Sequence, residues 1–294
     1  MKIAHATDIH WFARPGLKDM TVRRTVGSTN LYVFGRRKQF HADVQRALVQ
    51  HVLSLEPDLF VISGDLTAQA LDAEFALARA ELQPVLDTVP TFIVPGNHDL
   101  YTPGAARNRR IQRYFEPWMH EHGALHRYDS ETHPVTLLGL DPNRPTWFDA
   151  SGIVPQAQLD ALGEALADPG LADRFVGLVL HYPVVDRHGV LYDNSRHGLR
   201  NADALVDVLR AAPTKPGFVL HGHIHHGYQA QLPGLDVPSF DCGSSGQAWL
   251  PDRGWGAAMN VYEVHDGQLT GVERYIHDGS DFVAEEAGPY TSGR

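Results

Sequence analysis

The chain has 294 residues, with 35 acidic against 25 basic side chains and a formal net charge of −10. Such acidity excludes an indiscriminate nucleic-acid binder, which needs a basic field to neutralise phosphates, so no nucleic-acid partner is expected. With 43% hydrophobic and 20% charged residues the composition is globular, and one cysteine, Cys242, excludes a disulfide framework or a multi-cysteine zinc site.

Short apolar runs alternate with amphipathic segments along the first two thirds. Ile3 to Thr7 reads as a strand that runs into Asp8, Ile9 and His10. Val44, Leu48, Val52 and Leu55 repeat at helical spacing before a second strand, Leu59 to Ser63, which ends at Gly64-Asp65. Phe75, Ala78, Leu82, Val85, Leu86 and Val89 predict a crossover helix, and the strand Thr91 to Val94 then runs into Gly96-Asn97-His98-Asp99. The pattern continues with strand Val135 to Leu140, a helix near 155–167, strand Val176 to Leu180 ending at His181, and a helix near 201–211. Phe218 to Leu220 then leads to Gly222-His223-Ile224-His225. Alternation of this kind implies βαβ units and largely parallel pairing. Beyond it, Tyr228 to Leu232, Val237 to Phe240, Met259 to Val264 and Leu269 to Ile276, with Asp266-Gly267 as a turn, predict an antiparallel meander. With no repeat or linker between them, these elements predict one domain over residues 1–294, built on two sheets.

The polar groups all follow strands, where open α/β sheets build their sites. Carboxylate, imidazole and amide donors together suit borderline divalent metals such as manganese, iron, cobalt or zinc. One Asp-x-His pair could be a cap or a surface dipeptide; five such groups at five strand ends make a site.

The ordered set Asp8-x-His10, Gly64-Asp65, Gly96-Asn97-His98-Asp99, His181 and Gly222-His223-x-His225 resembles the calcineurin-like metallophosphoesterases over about three quarters of the chain. The resemblance implies an α/β four-layer sandwich, α/β/β/α, of two mixed sheets flanked by helices with a dinuclear metal site at one sheet edge. It implies one divalent ion on Asp8, His10, Asp65 and His225, and a second on Asp65, Asn97, His181 and His223. Manganese is the first choice, with iron, zinc or cobalt as alternatives. It further implies in-line attack on a phosphodiester or pyrophosphate bond by a hydroxide shared between the ions. His98 would face the leaving group and Asp99 would orient it. A centre of two divalent ions, two carboxylates and one hydroxide carries about +1, which attracts an anionic phosphoester.

Two local similarities diverge. His197-Gly198-Leu199-Arg200-Asn201-Ala202 is similar to a segment of bacterial cyclic-nucleotide and glycerophosphodiester phosphodiesterases. Arg23-Arg24-Thr25-Val26-Gly27-Ser28-Thr29-Asn30 with Arg36-Arg37-Lys38 is similar to a group that includes a UDP-2,3-diacylglucosamine pyrophosphatase of lipid A synthesis. Seven cations and one acid lie between Arg14 and Lys38, and Arg107, Arg109, Arg110 and Arg113 follow the Asn97-His98-Asp99 group. Arg23, Arg24, Arg107 and Arg110 are therefore candidate substrate contacts. The basic insert, about residues 11–40, is a candidate cap that would touch an anionic membrane surface. The alternatives are the lipid-A pyrophosphatase, a broad phosphomonoesterase, or a metal-stabilised scaffold without turnover. With no signal-peptide pattern and no long apolar run, the expected location is the cytoplasm, with peripheral contact at the inner membrane face. The oligomeric state stays open.

Overall fold

The computed structural model describes residues 1–16, 40–144, 149–193, 196–248 and 256–285. Strands β1 (Lys2–Ala6), β2 (Leu59–Ile62) and β3 (Thr91–Ile93) pair in parallel, joined by helices α1 (Ala42–Leu55) and α2 (Asp72–Leu86). Two short helices follow, α3 (Pro103–Arg107) and α4 (Arg110–Met119), and then the hairpin β4 (Glu121–His122) and β5 (Leu125–Asp129). The second half runs β6 (Val135–Gly139), α5 (Gln156–Leu166), β7 (Phe175–Val179), α6 (Ala202–Ala211), β8 (Phe218–His221), β9 (Tyr228–Gln231) and β10 (Pro238–Asp241). Strands β11 (Ala258–His265), β12 (Gln268–His277) and β13 (Phe282–Ala284) complete the described chain.

Two mixed sheets result. One has the order β13-β12-β11-β1-β2-β3, the other β4-β5-β6-β7-β8-β10-β9. Alternation along the strands builds three apolar layers, because successive side chains point to opposite faces. Ile3, Leu59, Val61 and Phe92 meet Leu137, Val179, Phe218 and Leu220 between the sheets. Ala4, Phe60, Ile62 and Ile93 pack on Leu48, Val52, Phe75 and Leu82 of α1 and α2. Leu138, Val176, Leu178 and Val219 pack on Leu159, Leu162, Leu205 and Leu209 of α5 and α6. Strands covered on both faces read as continuous apolar runs, as β2 does in Leu-Phe-Val-Ile. The four-layer α/β/β/α expectation is met.

The terminal meander is not. β9 and β10 join the second sheet, with β10 parallel to β8, while β11 and β12 join the first as a hairpin antiparallel to β1. Helical period was absent from this stretch, and that much held. Which sheet each hairpin would join depends on partners far away in sequence. The Asp266-Gly267 turn formed, with φ of 51° and 73°, as a two-residue hairpin of that twist requires. Helices α3 and α4 occupy the arginine-bearing stretch after the Asn97-His98-Asp99 group. Thr102 caps α3 by accepting from Ala105 N at 3.1 Å, and α4 buries Ile111, Phe115 and Met119 at i, i+4 and i+8. No helix among the described residues is long and apolar enough to cross a membrane. Arg23, Arg24 and residues 17–39 of the basic insert lie outside the described residues.

Candidate metal centre

The carboxyl ends of β1, β2 and β3 from one sheet meet those of β7 and β8 from the other, and the motif residues sit in the turns just beyond them. Backbone bonds knit these turns together. Asp8 N donates to Gly64 O (3.0 Å), His10 N to Asp65 O (3.0 Å) and Gly222 N to His181 O (3.0 Å). Ser245 N donates to Thr7 O (2.8 Å) and Ser244 Oγ to Asp8 O (2.7 Å). The turns are sharp: Asp8, His10, Asp65, His223 and His225 all have φ between 53° and 81°. Left-handed backbone is unfavourable for side chains of this kind and collects at functional sites.

Two glycines allow the turns to close. A Cβ on Gly96 would lie 2.1 Å from Asp65 Oδ1, and one on Gly222 would lie 2.4 Å from Asp8 Oδ2 and 2.0 Å from Thr7 Oγ1.

Two donor sets share the central carboxylates. In the first, His225 Nε2 is 3.1 Å from Asp8 Oδ1 and 3.2 Å from His10 Nε2, and His10 Nε2 is 3.6 Å from Asp8 Oδ1. In the second, His181 Nε2 is 3.3 Å from Asp65 Oδ2, 3.1 Å from Asn97 Oδ1 and 3.3 Å from His223 Nδ1. Asp65 Oδ2 also faces His10 Nε2 at 3.8 Å, so one carboxylate oxygen looks into both sets. Donors about 2.1 Å from a common ion stand about 3.0–3.4 Å from one another, so this spacing fits divalent cations. The triads Asp8/His10/His225, His10/Asp65/His98 and Asp8/Asp65/His181 each bring their donor atoms within 4.8 Å.

Neighbouring carbonyls orient the imidazoles. His181 Nδ1–H donates to Ser63 O (2.8 Å) and His10 Nδ1–H to Thr67 O (3.3 Å), which leaves each Nε2 lone pair aimed at the centre. Asp8 Oδ2 accepts from Thr7 Oγ1 (2.9 Å) and His223 N (2.8 Å), and Asp65 Oδ1 accepts from His98 N (2.7 Å). Burial alone would raise the pKa of both carboxyls. The histidines around them prevail and hold both well below the usual carboxylate range, His225 chiefly for Asp8 and His181 for Asp65. Burial would likewise lower His181, but the Asp65 carboxylate raises it to about 10, while burial and a charged His181 push His223 far down. In the metal-free protein this favours a second proton, on His181 Nε2, which an entering cation must displace to reach the lone pair.

His98 lies against this cluster, its ring 4.9 Å from that of His10. His98 and Asp99 are held by different neighbours. The Ala68 carbonyl, at 2.6 Å, accepts from His98 Nδ1–H. The buried Asp99 carboxylate instead accepts from Leu66 N (3.2 Å), Thr67 N (2.9 Å), Thr67 Oγ1 (3.0 Å) and Gly96 N (3.0 Å), which fastens the β2 turn to the β3 turn. Burial, followed by the charge of Asp65, pushes its pKa up to about 7, against those donors. The cationic rim also changes. Arg110 donates to Ala70 O and pairs with Asp72 at 3.2 Å, so its charge is used within the protein; Arg107 is exposed on α3. Asp72 also binds Arg113 at 2.8 Å, and Glu121 binds Arg109 at 2.5 Å. Sequence reasoning missed Ser244 and Ser245, which brace the Asp8 turn. Their signal was the small polar run Gly243-Ser244-Ser245-Gly246 after a strand.

Residues 1–227 match the family model for calcineurin-like phosphoesterases. The chain belongs to that family. Calcineurin-like phosphoesterases bind a dinuclear divalent metal centre, and this member is a metal-dependent phosphoester hydrolase. It is 24% identical over 231 residues to a protein of Ruthia magnifica subsp. Calyptogena magnifica named "Probable cyclic nucleotide phosphodiesterase", covering 78% of this chain and 87% of the relative. It is 29% identical over 123 residues to a "Probable glycerophosphodiester phosphodiesterase" of Arcobacter nitrofigilis, covering 40% of this chain and 41% of that protein. The crystal structure of a dimetal phosphatase from Danio rerio superposes with a TM-score of 0.62 at 13% identity, over 99% of each chain, a likeness of fold.

Proposed function

We propose that this phosphoesterase hydrolyses phosphodiester bonds, with Asp8, His10, Asp65 and His225 holding one divalent ion and Asp65, Asn97, His181 and His223 holding a second. The observation that carries the reading is Asp65 Oδ2, which faces His10 Nε2 on one side and His181 Nε2 on the other. Bound there, two divalent ions supply Lewis acidity, a water of lowered pKa and a clamp on phosphoryl oxygens. His98 supplies the proton for the departing alkoxide. The Ala68 carbonyl fixes its Nδ1–H, so it donates from Nε2 only as the imidazolium. Asp99 keeps the turn that carries Asn97 and His98 in register with the turn that carries Asp65. The names of the two curated relatives support a diester over a monoester.

Protein loaded with Mn2+ is to be assayed in parallel on cyclic AMP, glycerophosphodiesters, p-nitrophenyl phosphate and UDP-2,3-diacylglucosamine, with and without detergent. Turnover of soluble diesters ahead of the monoester is expected. Turnover of the lipid nucleotide alone would overturn the reading. His98→Ala should keep its metal by elemental analysis and lose roughly 10²–10⁴-fold in turnover; unchanged turnover would remove His98 from the reaction.

A further inference from the structure

The segment His197–Ala202 has no part in the mechanism above, yet the fold fixes it firmly. Gly152 N donates to Gly198 O (3.0 Å), Arg200 N to Gly152 O (2.9 Å) and Ala150 N to Arg196 O (2.9 Å). The Asn201 side chain accepts from Val154 N and donates to Val154 O, both at 2.9 Å. Arg200 donates to Ser151 Oγ and to Asp149 Oδ2, both at 3.0 Å. Leu199 and Ala202 are fully buried in the core beneath α6, and a Cβ on Gly198 would lie 1.6 Å from Tyr192 O. Residues 198–202 are thus spent on anchoring.

What this anchoring delivers is the His197 side chain. It is exposed, and its ring centroid lies 5.9 Å from that of His223. His223 is backed on another side by the buried ring of Tyr182, at 4.4 Å. His98 lies against His10 and His197 against His223, so the two imidazoles flank different donor sets of one centre. A phosphodiester has two ester oxygens, one that leaves and one that is retained. His98 serves the first; an N–H donor on the His223 side can reach the group attached through the second.

We propose that His197 is a substrate-binding residue that donates a hydrogen bond to the retained ester arm of a phosphodiester and so favours diesters over monoesters. The inference rests on the diesterase reading. A hydrogen bond to an uncharged ester oxygen is worth about 0.5–1.5 kcal/mol, or roughly 2–10-fold in affinity.

The test is calorimetric binding of diethyl phosphate and of inorganic phosphate to Mn2+-loaded wild type, His197→Ala and His197→Gln, with metal content and melting temperature measured on each. Alanine should weaken diethyl phosphate binding about 3–10-fold and leave inorganic phosphate within about twofold, and glutamine, which keeps an N–H donor, should restore most of the loss. Equal effects on both probes, or none, would overturn the proposal, as would metal lost from His197→Ala. A wild type that cleaves no diester would instead overturn the diesterase reading itself.

Discussion

Gly222→Ala isolates the close approach on which the first donor set depends. The new Cβ would meet Thr7 Oγ1 at 2.0 Å, Asp8 Oδ2 at 2.4 Å and Thr7 Cγ2 at 2.6 Å, where ordinary contact begins at 3.4 Å. Asp8 Oδ2 must therefore retreat by about 1.0 Å and Thr7 Oγ1 by about 1.4 Å, a misfit of the kind that costs overpacked cores about 1–3 kcal/mol. Neither group has slack. Both residues are fully buried, and Asp8 Oδ2 is held by Thr7 Oγ1 and His223 N. A shift of that size reaches Asp8 Oδ1, which faces His225, so Mn2+ affinity should fall about 10–100-fold and turnover by about 10²-fold. Affinity is to be measured by titrating Mn2+ into chelator-treated protein, and turnover with bis(p-nitrophenyl) phosphate. Thr7→Ala in the same chain removes two of the three contacts and should recover part of the loss. Gly104→Ala, whose Cβ meets nothing closer than 3.9 Å, is the matched control. A Gly222→Ala protein within threefold of wild type in both measurements would refute the reasoning.

Asp99→Asn leaves one oxygen for four donors, so two of them face an amide NH2 whichever way it turns. A loss of about 2–3 kcal/mol in urea unfolding is expected once the relief of a buried charge is allowed for; a change below about 0.5 kcal/mol would mean that the folded protein holds this carboxyl protonated. His5 is buried with Nε2 2.8 Å from Ser63 Oγ, and burial, then a charge on His221, lower its pKa from 6.5 to about 3. The unfolded chain therefore takes up this proton first, and stability should fall as pH drops from 6.5 towards 3, at up to about 1.4 kcal/mol per pH unit. The His5 ring resonance of the folded protein should stay flat between pH 8 and 5, and a midpoint near 6.5 would count against it.

Much of the centre could be read from residue order because its chemistry follows strand ends, and strand ends are marked by where an apolar run stops. Asp8, Asp65, Asn97, His181 and His223 each follow such a stop. The β9–β10 and β11–β12 hairpins were legible as strands, whereas their assignment to different sheets was not. Pairing of Ser239 with Val219 or of Ile3 with Tyr262 joins residues whose proximity no local pattern encodes. The Asp99 carboxylate illustrates another limit. Its neighbour in sequence is His98, but three of its four donors come from the β2 turn more than thirty residues earlier. The charge run at Arg107 to Arg113 shows a related limit. Its acidic partners lie outside the run: Asp72 enters only when α4 folds against α2, and Glu121 lies at the start of β4.

The five left-handed residues of the centre bear on how this protein can change. At about 1–2 kcal/mol apiece, their conformations oppose folding by a sum comparable to the whole stability of an ordinary domain. Random mutation screened for heat resistance alone should therefore drift towards glycine or asparagine at positions 8, 10, 65, 223 and 225 and yield robust, inert proteins. Retaining activity under such selection requires that the metal be present throughout, so that occupancy and not backbone ease decides which variants survive.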